Sequence, residues 1–426
     1  MLRNEPNIDT IVDPCFGFRG INIRGIEGNR VLLQVDGIRL PREFNILGRT
    51  LYTGRDFGDV GTLNRIEILG SAGSALYGSD ALGGTVSFQT LDPKDLLDWV
   101  GKNDYYEFTI GYDFRARRFS GIGTVAFRTP DKITEGLFTY TRRDFTELQR
   151  KDAEDRFVDR QTGNNNSYLA KLNFRLDEFS RLQLTGEVFN RSTEIILAPA
   201  NLVDGAFSAL TTSLTSGLRT NGTRLRVEYQ FNNPNSTSFI QLAKLLVYYQ
   251  KTETPETSVE FRRAVEGGPN ILVREGFNQF FDKIGGVDLQ LTSIFQTGDI
   301  KHRLTYGGEL SFQRNERPRD RIQTNLVTGV RTRFAIPDIY PTKDFPDSDT
   351  SRFGLFLQDE IEINSGYLIP GIRIDFYNLT TSPDADYFRN GALPPANFTS
   401  TAETSDNFEI GIRGNFPQGK FSVNSV

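Results

Sequence analysis

Few residues of this chain have side chains that could act as a nucleophile, a general base or a metal ligand. The 426-residue sequence has one histidine, His302, and one cysteine, Cys15. Most hydrolytic sites need a positioned histidine as general base, and the spacing around His302 indicates no serine or aspartate partner. The sequence contains no Cys/His metal cluster, phosphate loop or dinucleotide fingerprint. We therefore predict that the protein is not an enzyme and holds no catalytic residue, metal or permanent cofactor.

Glycines and charged residues recur at short spacing between positions 24 and 86. In order, the motifs are Arg24-Gly25, Asn29-Arg30-Val31, Val35-Asp36-Gly37, Arg65-Ile66-Glu67 and the run Tyr77 to Val86. A single Asp-Gly or Gly-Gly pair marks only a turn, so the information lies in the order of the whole set. Glycine permits positive φ angles and close backbone approach. We predict a small globular unit with structural glycines at Gly25, Gly37, Gly78, Gly83 and Gly84.

The composition indicates many short strands and tight turns, because the chain has 40 glycines, 34 phenylalanines and 15 tyrosines. No run approaches the roughly 20 apolar residues of a membrane-spanning helix, and the mean hydropathy is −0.40. The net charge of −5 is modest and gives no reason to expect a nucleic-acid partner.

From Tyr105 onward, polar and apolar residues alternate with a period of two, which indicates half-buried β-strands. Arg224 and Arg226, for example, fall on one face of a strand, and Leu225 and Val227 fall on the other. An antiparallel sandwich with one solvated face would give the same alternation. A transmembrane barrel is favoured because the apolar faces end in Tyr and Phe and because short connections alternate with long ones.

The connections set the direction of each strand, since outer-membrane barrels have short periplasmic turns and long external loops. Short turns are predicted near 129–131, 177–180, 232–235, 297–299, 364–366 and 417–419, and long polar connections at 144–166, 191–220, 251–277, 314–350 and 379–406. This pattern yields twelve strands and the start of a thirteenth, whereas a wide barrel with a filled lumen has about 22. We expect truncation at both ends, because no signal peptide is visible and an open sheet edge is costly in lipid.

The motif order across residues 24–86 resembles the plug domain of TonB-dependent outer-membrane receptors, and the resemblance covers essentially the whole chain from Gly20. It implies a mainly β protein with a small mixed α/β plug at 1–92, a linker at 93–104 and the N-terminal half of a transmembrane antiparallel β-barrel at 105–426. The resemblance also implies that the protein lies in the outer membrane of a Gram-negative type bacterium, in contact with lipid. It implies that the complete protein is a monomer. A plug argues against a passive porin, because it would block free diffusion.

The barrel half further resembles receptors of the haem, haemoglobin and transferrin branch. The matching pieces are His302 to Gly308, Arg317 to Arg321, Lys343 to Ser348, Gly354 to Ile361 and Ile369 to Asp375. The resemblance implies energised uptake of an iron-bearing ligand, with haem or haemoglobin as the first expectation. A ferric siderophore or cobalamin, or a non-functional receptor fragment, is the alternative. The implied partners are a TonB-type energising complex at the periplasmic face and an external haem protein or siderophore.

The resemblance also implies where a ligand would bind. Haem recognition usually uses a His or Tyr axial ligand, and His302 is expected at the periplasmic rim, far from an external substrate. Tyr52 is the better candidate, because the segment 41–58 is expected to form an apical loop, with Arg49 and Arg55 as further ligand contacts. Simple packing of Tyr52 is the alternative.

Plugs of this family use the arginines of their R-G and R-I-E motifs to pair with carboxylates on the barrel wall. This implies plug–barrel contacts for Arg24, Arg65 and Glu67, with solvated charge as the alternative. Buried charges need partners, and the lumen-facing carboxylates that could supply them are Glu187, Glu228, Glu309 and Glu360.

Overall fold

The computed structural model describes residues 7–13, 17–42, 55, 58–70, 74–114, 117–147, 158–198, 210–265, 267–335, 338–363, 366–389, 410–416 and 419–425. Most of these residues lie in β-strands, and the predicted combination of a small mixed domain and a large antiparallel sheet is confirmed. No helix in the described ranges is long and apolar enough to cross a membrane.

The plug is a small α/β unit built on a four-stranded sheet. Its elements are β1 (Ile8–Asp13), β2 (Gly17–Ile23), β3 (Val31–Val35), β4 (Ile38–Arg39), β5 (Leu63–Leu69), α1 (Ser74–Tyr77) and β6 (Gly84–Thr90), with 3-10 turns at Gly28–Arg30, Val60–Thr62 and Ser79–Ala81. The strand order is β4-β3-β6-β5. Strands β3 and β6 are parallel and the other neighbours antiparallel, while β1 and β2 form a separate hairpin.

The plug core lies on β3 and β6, since every residue of β3 is buried. The buried apolar side chains of this core are Ile21, Ile23, Val31, Leu33, Val35, Leu40, Val86 and Phe88. Asp36 and Gly37 connect β3 to β4 with φ angles of 48° and 88°, as in a two-residue type I′ turn. The other predicted structural glycines with positive φ are Gly25, Gly78 and Gly84. Gly83 instead lies so close to Ile26 that an added Cβ atom would clash.

The predicted linker contains a helix, α2 (Pro93–Val100). The Asp92 carboxylate accepts a hydrogen bond from the Lys94 backbone N–H at 3.0 Å and caps the N-terminus. Gly101 ends the helix in the left-handed conformation. Leu97 is fully buried against apolar residues of the large sheet, so the helix is packed onto the barrel wall.

The barrel portion is a continuous antiparallel meander with small strands in one of its connections. The strands are β7 (Asp104–Asp113), β8 (Arg118–Arg128), β9 (Thr134–Thr146), β10 (Arg160–Arg175), β11 (Ser180–Ile196), β12 (Thr211–Asn232), β13 (Leu242–Arg263), β14 (Asn270–Thr297), β15 (Ile300–Glu316), β16 (Pro318–Asn325), β17 (Arg331–Thr332), β18 (Phe334–Ala335), β19 (Asp338–Ile339), β20 (Thr342–Lys343), β21 (Asp347–Ile363), β22 (Gly366–Leu368), β23 (Gly371–Ser382), β24 (Ile410–Phe416) and β25 (Gly419–Ser425). Strands β7 to β15, β21 and β23 pair in sequence order, and β24 pairs with β25. These thirteen strands confirm the predicted number, and within the described ranges the sheet is open, with β7 at one edge.

The two faces of the sheet have opposite character, as the alternation predicts. On β12, Leu225 and Val227 are 51% and 43% exposed, whereas Arg224 and Glu228 are 4% and 2% exposed. The exposed face is apolar and the covered face is polar, which is the arrangement of a barrel wall with lipid outside and a polar lumen inside.

One predicted loop is wrong. Residues 251–277 do not form a long connection, because β13 continues to Arg263 and β14 begins at Asn270. The two strands remain paired along this extension, which supplies hydrogen-bond partners for backbone groups beyond the apolar band. The polar composition that indicated a loop instead belongs to paired strands, whose exposed side chains also include Val259 and Phe277.

The predicted loop 314–350 also contains regular structure. Strand β16 pairs with the extended part of β14, from Asn278 to Leu272, and with β20. Lys343 forms ion pairs with Asp347 at 2.9 Å and with Asp384 at 2.5 Å. These contacts join the connection after β15 to the one after β23.

Candidate functional site

Four aspartates of the plug and its connecting segment lie against the barrel wall, and each meets a basic residue of that wall. The pairs are Asp36 with Lys171 at 3.5 Å, Asp59 with Arg143 at 2.5 Å, Asp80 with Arg352 at 2.9 Å and Asp92 with Arg181 at 2.6 Å. They join plug turns and caps to β10, β9, β21 and β11. The interface between plug and wall is therefore held largely by ion pairs.

Asp80 lies in the 3-10 turn Ser79–Ala81 and accepts hydrogen bonds from three arginines. Arg39 and Arg352 donate to Oδ2 at 3.0 and 2.9 Å, and Arg42 donates to Oδ1 at 2.9 Å. Burial by itself would raise the pKa of Asp80, but the three guanidinium groups outweigh it and hold the pKa well below its usual range. Asp80 is thus a fixed negative charge that joins plug and wall.

Arg39 is the plug residue that connects this aspartate to a second wall carboxylate. It follows the turn at Asp36 and Gly37, and its Nη2 donates to Glu309 on β15 at 3.0 Å and to the Tyr77 carbonyl oxygen at 2.8 Å. Burial would lower the pKa of Arg39, but Glu309 and Asp80 raise it above its usual value. Arg39 therefore carries a buried positive charge between two carboxylates.

Arg373 on β23 completes the cluster from the wall side. Its Nη2 lies 3.1 Å from Glu309 and 2.7 Å from Asp375, and its Nη1 donates to the Leu76 carbonyl oxygen at 3.0 Å. A Cβ atom at Gly78 would lie 3.3 Å from the Arg373 side chain, so glycine leaves room for this contact. The central ion network is defined as Arg39, Asp80, Glu309, Arg352 and Arg373.

The other aspartates combine a local structural role with a wall contact. Asp36 accepts from the Thr90 backbone N–H at 2.9 Å and from the Thr90 hydroxyl at 2.5 Å. Burial would raise the pKa of Asp36, but Lys171, Arg226 and these hydrogen bonds lower it. Asp92 caps α2 and also accepts from Arg181 and Gln183, at 2.6 and 2.9 Å.

Asp59 has hydrogen-bond partners in its own turn and on two strands of the wall. It caps the turn Val60–Thr62 by accepting from the Gly61 N–H at 2.7 Å. Arg143 donates to both of its oxygens, at 2.5 and 2.8 Å, and Asn165 donates at 3.2 Å. A two-point arginine–carboxylate pair fixes orientation as well as distance.

Between these contacts the interface is polar and partly open. A cavity of about 260 Å³ separates β3 and β6 from the wall and is lined by Gln34, Ser87, Lys244, Asp288 and Glu309 among others. Such a cavity is large enough and polar enough for several waters. Direct apolar packing between plug and wall is small here, with Ile38 against Leu246, Tyr248 and Ile284.

The residues predicted for the plug–barrel contact lie elsewhere in the plug. Arg65 pairs with Glu67 on the same strand at 2.8 Å, and the two side chains are 64% and 54% exposed. Arg24 is exposed, with its backbone N–H bonded to the Asn7 carbonyl oxygen. Contacts of these three residues with a barrel wall stay a prediction.

Among the four wall carboxylates named from the sequence, Glu309 does accept a plug arginine, Arg39. Glu187 pairs instead with Arg224 of the wall at 2.5 Å, and Glu228 pairs with Arg226.

Of the predicted ligand contacts, Tyr52 and Arg49 lie outside the described residues. Arg55 is 6% exposed. Its Nε donates to the Pro41 carbonyl oxygen at 3.1 Å and its Nη2 to Asn29 Oδ1 at 3.0 Å. The structure thus places Arg55 beside Pro41 and Asn29 in the plug.

His302 lies at the start of β15, near the short turn after β14. Its ring stacks on Phe295 with 4.8 Å between the centroids, and its Nδ1 lies 2.7 Å from Asp359 Oδ2. The spacing in sequence did not suggest this aspartate, since it belongs to β21. No group of three or more His, Cys, Asp or Glu side chains in the described part of the chain could hold a metal ion.

Sequence reasoning missed all four aspartates as contact residues, although their local signals were visible. Asp36 lies in the D-G turn, Asp80 follows Gly78 in the glycine-rich run, and Asp92 precedes a proline in the manner of a helix cap. These signals predict turns and caps. They do not predict the basic residue on a distant strand.

Comparison with known proteins gives the family. A model of the TonB-dependent receptor plug domain matches residues 1–85, and a model of the TonB-dependent receptor-like β-barrel matches residues 156–400. The chain belongs to the TonB-dependent receptor family. The two matches agree with the plug and the antiparallel wall described above.

Proteins similar to this chain include some that are named for hemin or hemoglobin. The hemin receptor of Yersinia enterocolitica is 28% identical over 389 residues, covering 91% of this chain and 49% of that protein. Hemoglobin and hemoglobin-haptoglobin-binding protein A of Haemophilus influenzae is 23% identical over 424 residues, covering 93% of this chain and 38% of that protein. The chain spans about half the length, or less, of the curated relatives that it matches across nearly all of its residues.

Solved structures show the same fold. The FrpB iron transporter of Neisseria meningitidis superposes with a TM-score of 0.68 at 16% identity, over 97% of this chain and 58% of that one. A double mutant of the Serratia marcescens hemophore receptor HasR, solved with its hemophore HasA and heme, gives a TM-score of 0.62 at 18% identity, over 97% of this chain and 57% of that one.

Proposed function

We propose that this protein acts in the outer membrane of a Gram-negative bacterium in the energised uptake of an iron-bearing ligand, with haem as that ligand. The observation that carries the proposal is the plug–wall interface, in which ion pairs surround a polar cavity of about 260 Å³. The choice of haem is supported by the relatives named hemin receptor, which match 91% of this chain. Haem is here a transported ligand and not a resident cofactor.

A polar interface suits a plug that must be held at rest and then rearranged. Each ion pair fixes the plug in one position, and water can replace the partners of each charge as the plug moves. Opening a continuous apolar interface of the same size would expose hydrophobic surface to water, at a free-energy cost of about 25 cal/mol per Å². The force would come from a TonB-type energising complex at the periplasmic face, and the partner outside would be a haem protein. The apolar outer face would contact membrane lipid, the complete receptor would act as a monomer, and no nucleic acid would take part.

For the ligand contact we propose Tyr52 and Arg49, in the segment between Pro41 and Arg55. A tyrosine oxygen can ligate haem iron, and an arginine can pair with a haem carboxylate. Arg55 supports this role indirectly, because its bonds to Pro41 and Asn29 hold the ends of the segment together.

Growth tests this proposal. The full 426-residue chain would be produced, behind a secretion signal, in a haem-auxotrophic Gram-negative strain that lacks its own haem receptors. We expect growth on haemin or haemoglobin, and loss of that growth when the strain's TonB protein is deleted. In the same strain, Tyr52→Phe should change the absorption spectrum of haem bound at equal occupancy, whereas Tyr106→Phe, which alters an exposed tyrosine of β7, should not.

The other outcomes distinguish the alternatives. Growth on a ferric siderophore or cobalamin, without growth on haemin, would assign the receptor to that ligand. Absence of growth on every ligand, with the protein present in the outer membrane, would mean that this chain does not transport by itself. An unchanged haem spectrum in Tyr52→Phe would discard Tyr52 as the iron ligand.

A further inference from the structure

Another cavity lies between helix α2 and the wall, at the end of the wall that carries the short turns. Its volume is about 470 Å³, and its lining includes Lys94 and Asp98 of α2 and residues of β8 to β12. The short turns that precede β9 and β11 contribute Lys132 and Glu178. The volume is within the range of about 300–1,000 Å³ that small-molecule sites occupy. We call this space the periplasmic cavity.

The lining of the periplasmic cavity carries more positive than negative charge. Its three carboxylates belong to Asp98, Glu135 and Glu178. Its five cations are Lys94, Arg128, Lys132, Arg175 and Arg181. Arg128 pairs with Asp98 at 2.6 Å and with Glu135 at 2.8 Å, and Arg181 pairs with Asp92 at 2.6 Å. Two of the cations are therefore neutralised by carboxylates that the structure holds in place.

The other three cations have no such partner. Among the described residues, no carboxylate oxygen lies within ion-pair distance of Lys94, Lys132 or Arg175. Arg175 donates one hydrogen bond to the Asp131 carbonyl oxygen at 3.1 Å, which leaves most of its five N–H groups available. It also lies directly opposite Arg181 in the register of β10 and β11. Like charges in this position destabilise a sheet, so the cavity favours an anion.

Apolar side chains lie beside these cations. Ile133 and Phe179 also line the cavity and are 47% and 39% exposed. Asn173 and Ser180, by contrast, are buried in the lining, and the Asn173 amide is bonded to Asp92, Glu135 and Gln183. The open part of the cavity therefore combines free cations with apolar surface, which suits an anion with an apolar body.

We propose that the periplasmic cavity binds a dicarboxylate, with Lys94, Lys132 and Arg175 as its positive contacts. Carboxylates accept strong hydrogen bonds from ammonium and guanidinium groups, and two of them offset the excess charge of the lining. Haem carries two carboxylates on one edge of an apolar ring. On the function proposed above, the ligand is haem that has passed the plug, held here before its release. A free periplasmic dicarboxylate is the other source of the same chemistry.

The single tryptophan of the chain provides the measurement. Trp99 lies in α2 beside Asp98 and is 78% exposed. The full chain in uncharged detergent micelles would be titrated with iron-free protoporphyrin, and quenching of Trp99 fluorescence would give the affinity. This porphyrin keeps both carboxylates but has no iron for Tyr52 to ligate. We expect it to bind at least tenfold more tightly than its dimethyl ester, and added salt to weaken the binding.

Substitutions locate the binding. Arg175→Gln should weaken porphyrin binding by about tenfold and Lys132→Gln by about threefold, whereas Arg175→Lys, which keeps the charge, should lose less than Arg175→Gln. Lys301→Gln is the matched control. Lys301 also lies at the short-turn end of the wall, but it pairs with Glu362 at 3.4 Å and does not line the cavity. Its substitution should leave the affinity within about twofold.

Several results would overturn the proposal. These are equal binding of the porphyrin and its dimethyl ester, unchanged affinity in both Arg175→Gln and Lys132→Gln, or an equal loss of affinity in Lys301→Gln. If Arg175→Gln does not fold, Lys132→Gln decides, because it alters an exposed turn residue. Succinate that displaces the porphyrin at comparable concentration would support the dicarboxylate site and overturn haem as its ligand.

The growth experiment described above separates this site from the proposed function. Growth on haemin without porphyrin binding at the periplasmic cavity would support haem uptake and overturn the site. Porphyrin binding that depends on Arg175, without growth on haemin, would support the site and count against haem uptake by this chain.

Discussion

At the scale of single residues, the described ion pairs between plug and wall involve more plug aspartates than plug arginines. The sequence indicated plug arginines meeting wall carboxylates, and Arg39 with Glu309 is one such pair. Four other described ion pairs place aspartates of the plug and its connecting segment against wall arginines or lysine. A buried ion pair is costly to break from one side, because the remaining charge stays desolvated. Substitution of these aspartates should therefore weaken the attachment of the plug to the wall.

Asp80→Asn tests this role. It would leave Arg39, Arg42 and Arg352 facing one another without their shared carboxylate, and we expect the plug to be destabilised by about 2–4 kcal/mol. The measurement is the rate of proteolysis within the plug of the full chain, relative to cleavage in the wall. Glu67→Gln, which breaks the exposed Arg65–Glu67 pair, is the matched control and should cost less than about 1 kcal/mol. Equal protection of the plug in Asp80→Asn and the parent would contradict the role assigned to Asp80.

At the scale of elements, the segment between plug and wall is a fixed part of the fold. Helix α2 is capped at Asp92, buried at Leu97 and ended by Gly101. Asp92 also contacts Arg181 and Gln183 on β11. One side chain therefore caps the helix and attaches it to the wall. Strand pairing likewise orders the hairpin of β13 and β14, whose polar composition had indicated a loop.

Asp92→Ala should destabilise α2 by more than the loss of a helix cap alone, which costs about 1 kcal/mol of stability. It also removes the acceptor for Arg181 and Gln183, so we expect at least tenfold faster hydrogen exchange at the backbone amides of α2. Asp95→Ala is the control in the same helix, since Asp95 accepts only an exposed hydrogen bond from Asn64 among the contacts described for it. Similar exchange rates in the two variants would mean that the wall contacts of Asp92 do not stabilise the helix.

At the scale of the whole molecule, the attachment of plug to wall should depend on pH. The pKa values of Asp36, Asp80 and Asp92 all lie below the ordinary value of 3.8. In each case burial raises the pKa and nearby cations lower it by more. A lowered pKa in the folded state stabilises that state fully above the unfolded value, and the contribution is lost as the pH falls through the folded value.

We therefore expect the plug to stay protease-resistant from neutral pH down to about pH 4, with progressive loss of resistance below it. Cleavage by pepsin at pH 2 to 5 and by trypsin at pH 7 to 8, each relative to an unfolded substrate at the same pH and read out by mass spectrometry, would measure this change. In Asp80→Asn the pH dependence should be shallower, because one titrating group is absent. Loss of resistance as the pH rises from 5 to 8 would contradict the predicted sign.

The amino-acid sequence by itself determined the features that depend on local periodicity and on backbone geometry. The glycine-spaced motifs indicated the plug, the alternation of residues such as Arg224 and Leu225 indicated a wall with a polar and an apolar face, and the short turns gave the number and direction of the strands. Side-chain alternation and turn chemistry act within a few residues, so they can be recognised without knowledge of the fold.

Only the tertiary structure decided which charges meet. Asp80 and Arg352 are 272 residues apart in the chain, and Arg175 lies opposite Arg181 only because of the register of β10 and β11. Strand register likewise continues the β13–β14 hairpin through residues 251–277, where composition alone indicated a loop. Pairing between distant strands is set by packing and backbone hydrogen bonding over the whole sheet, and a one-residue shift would move each of these side chains to the other face.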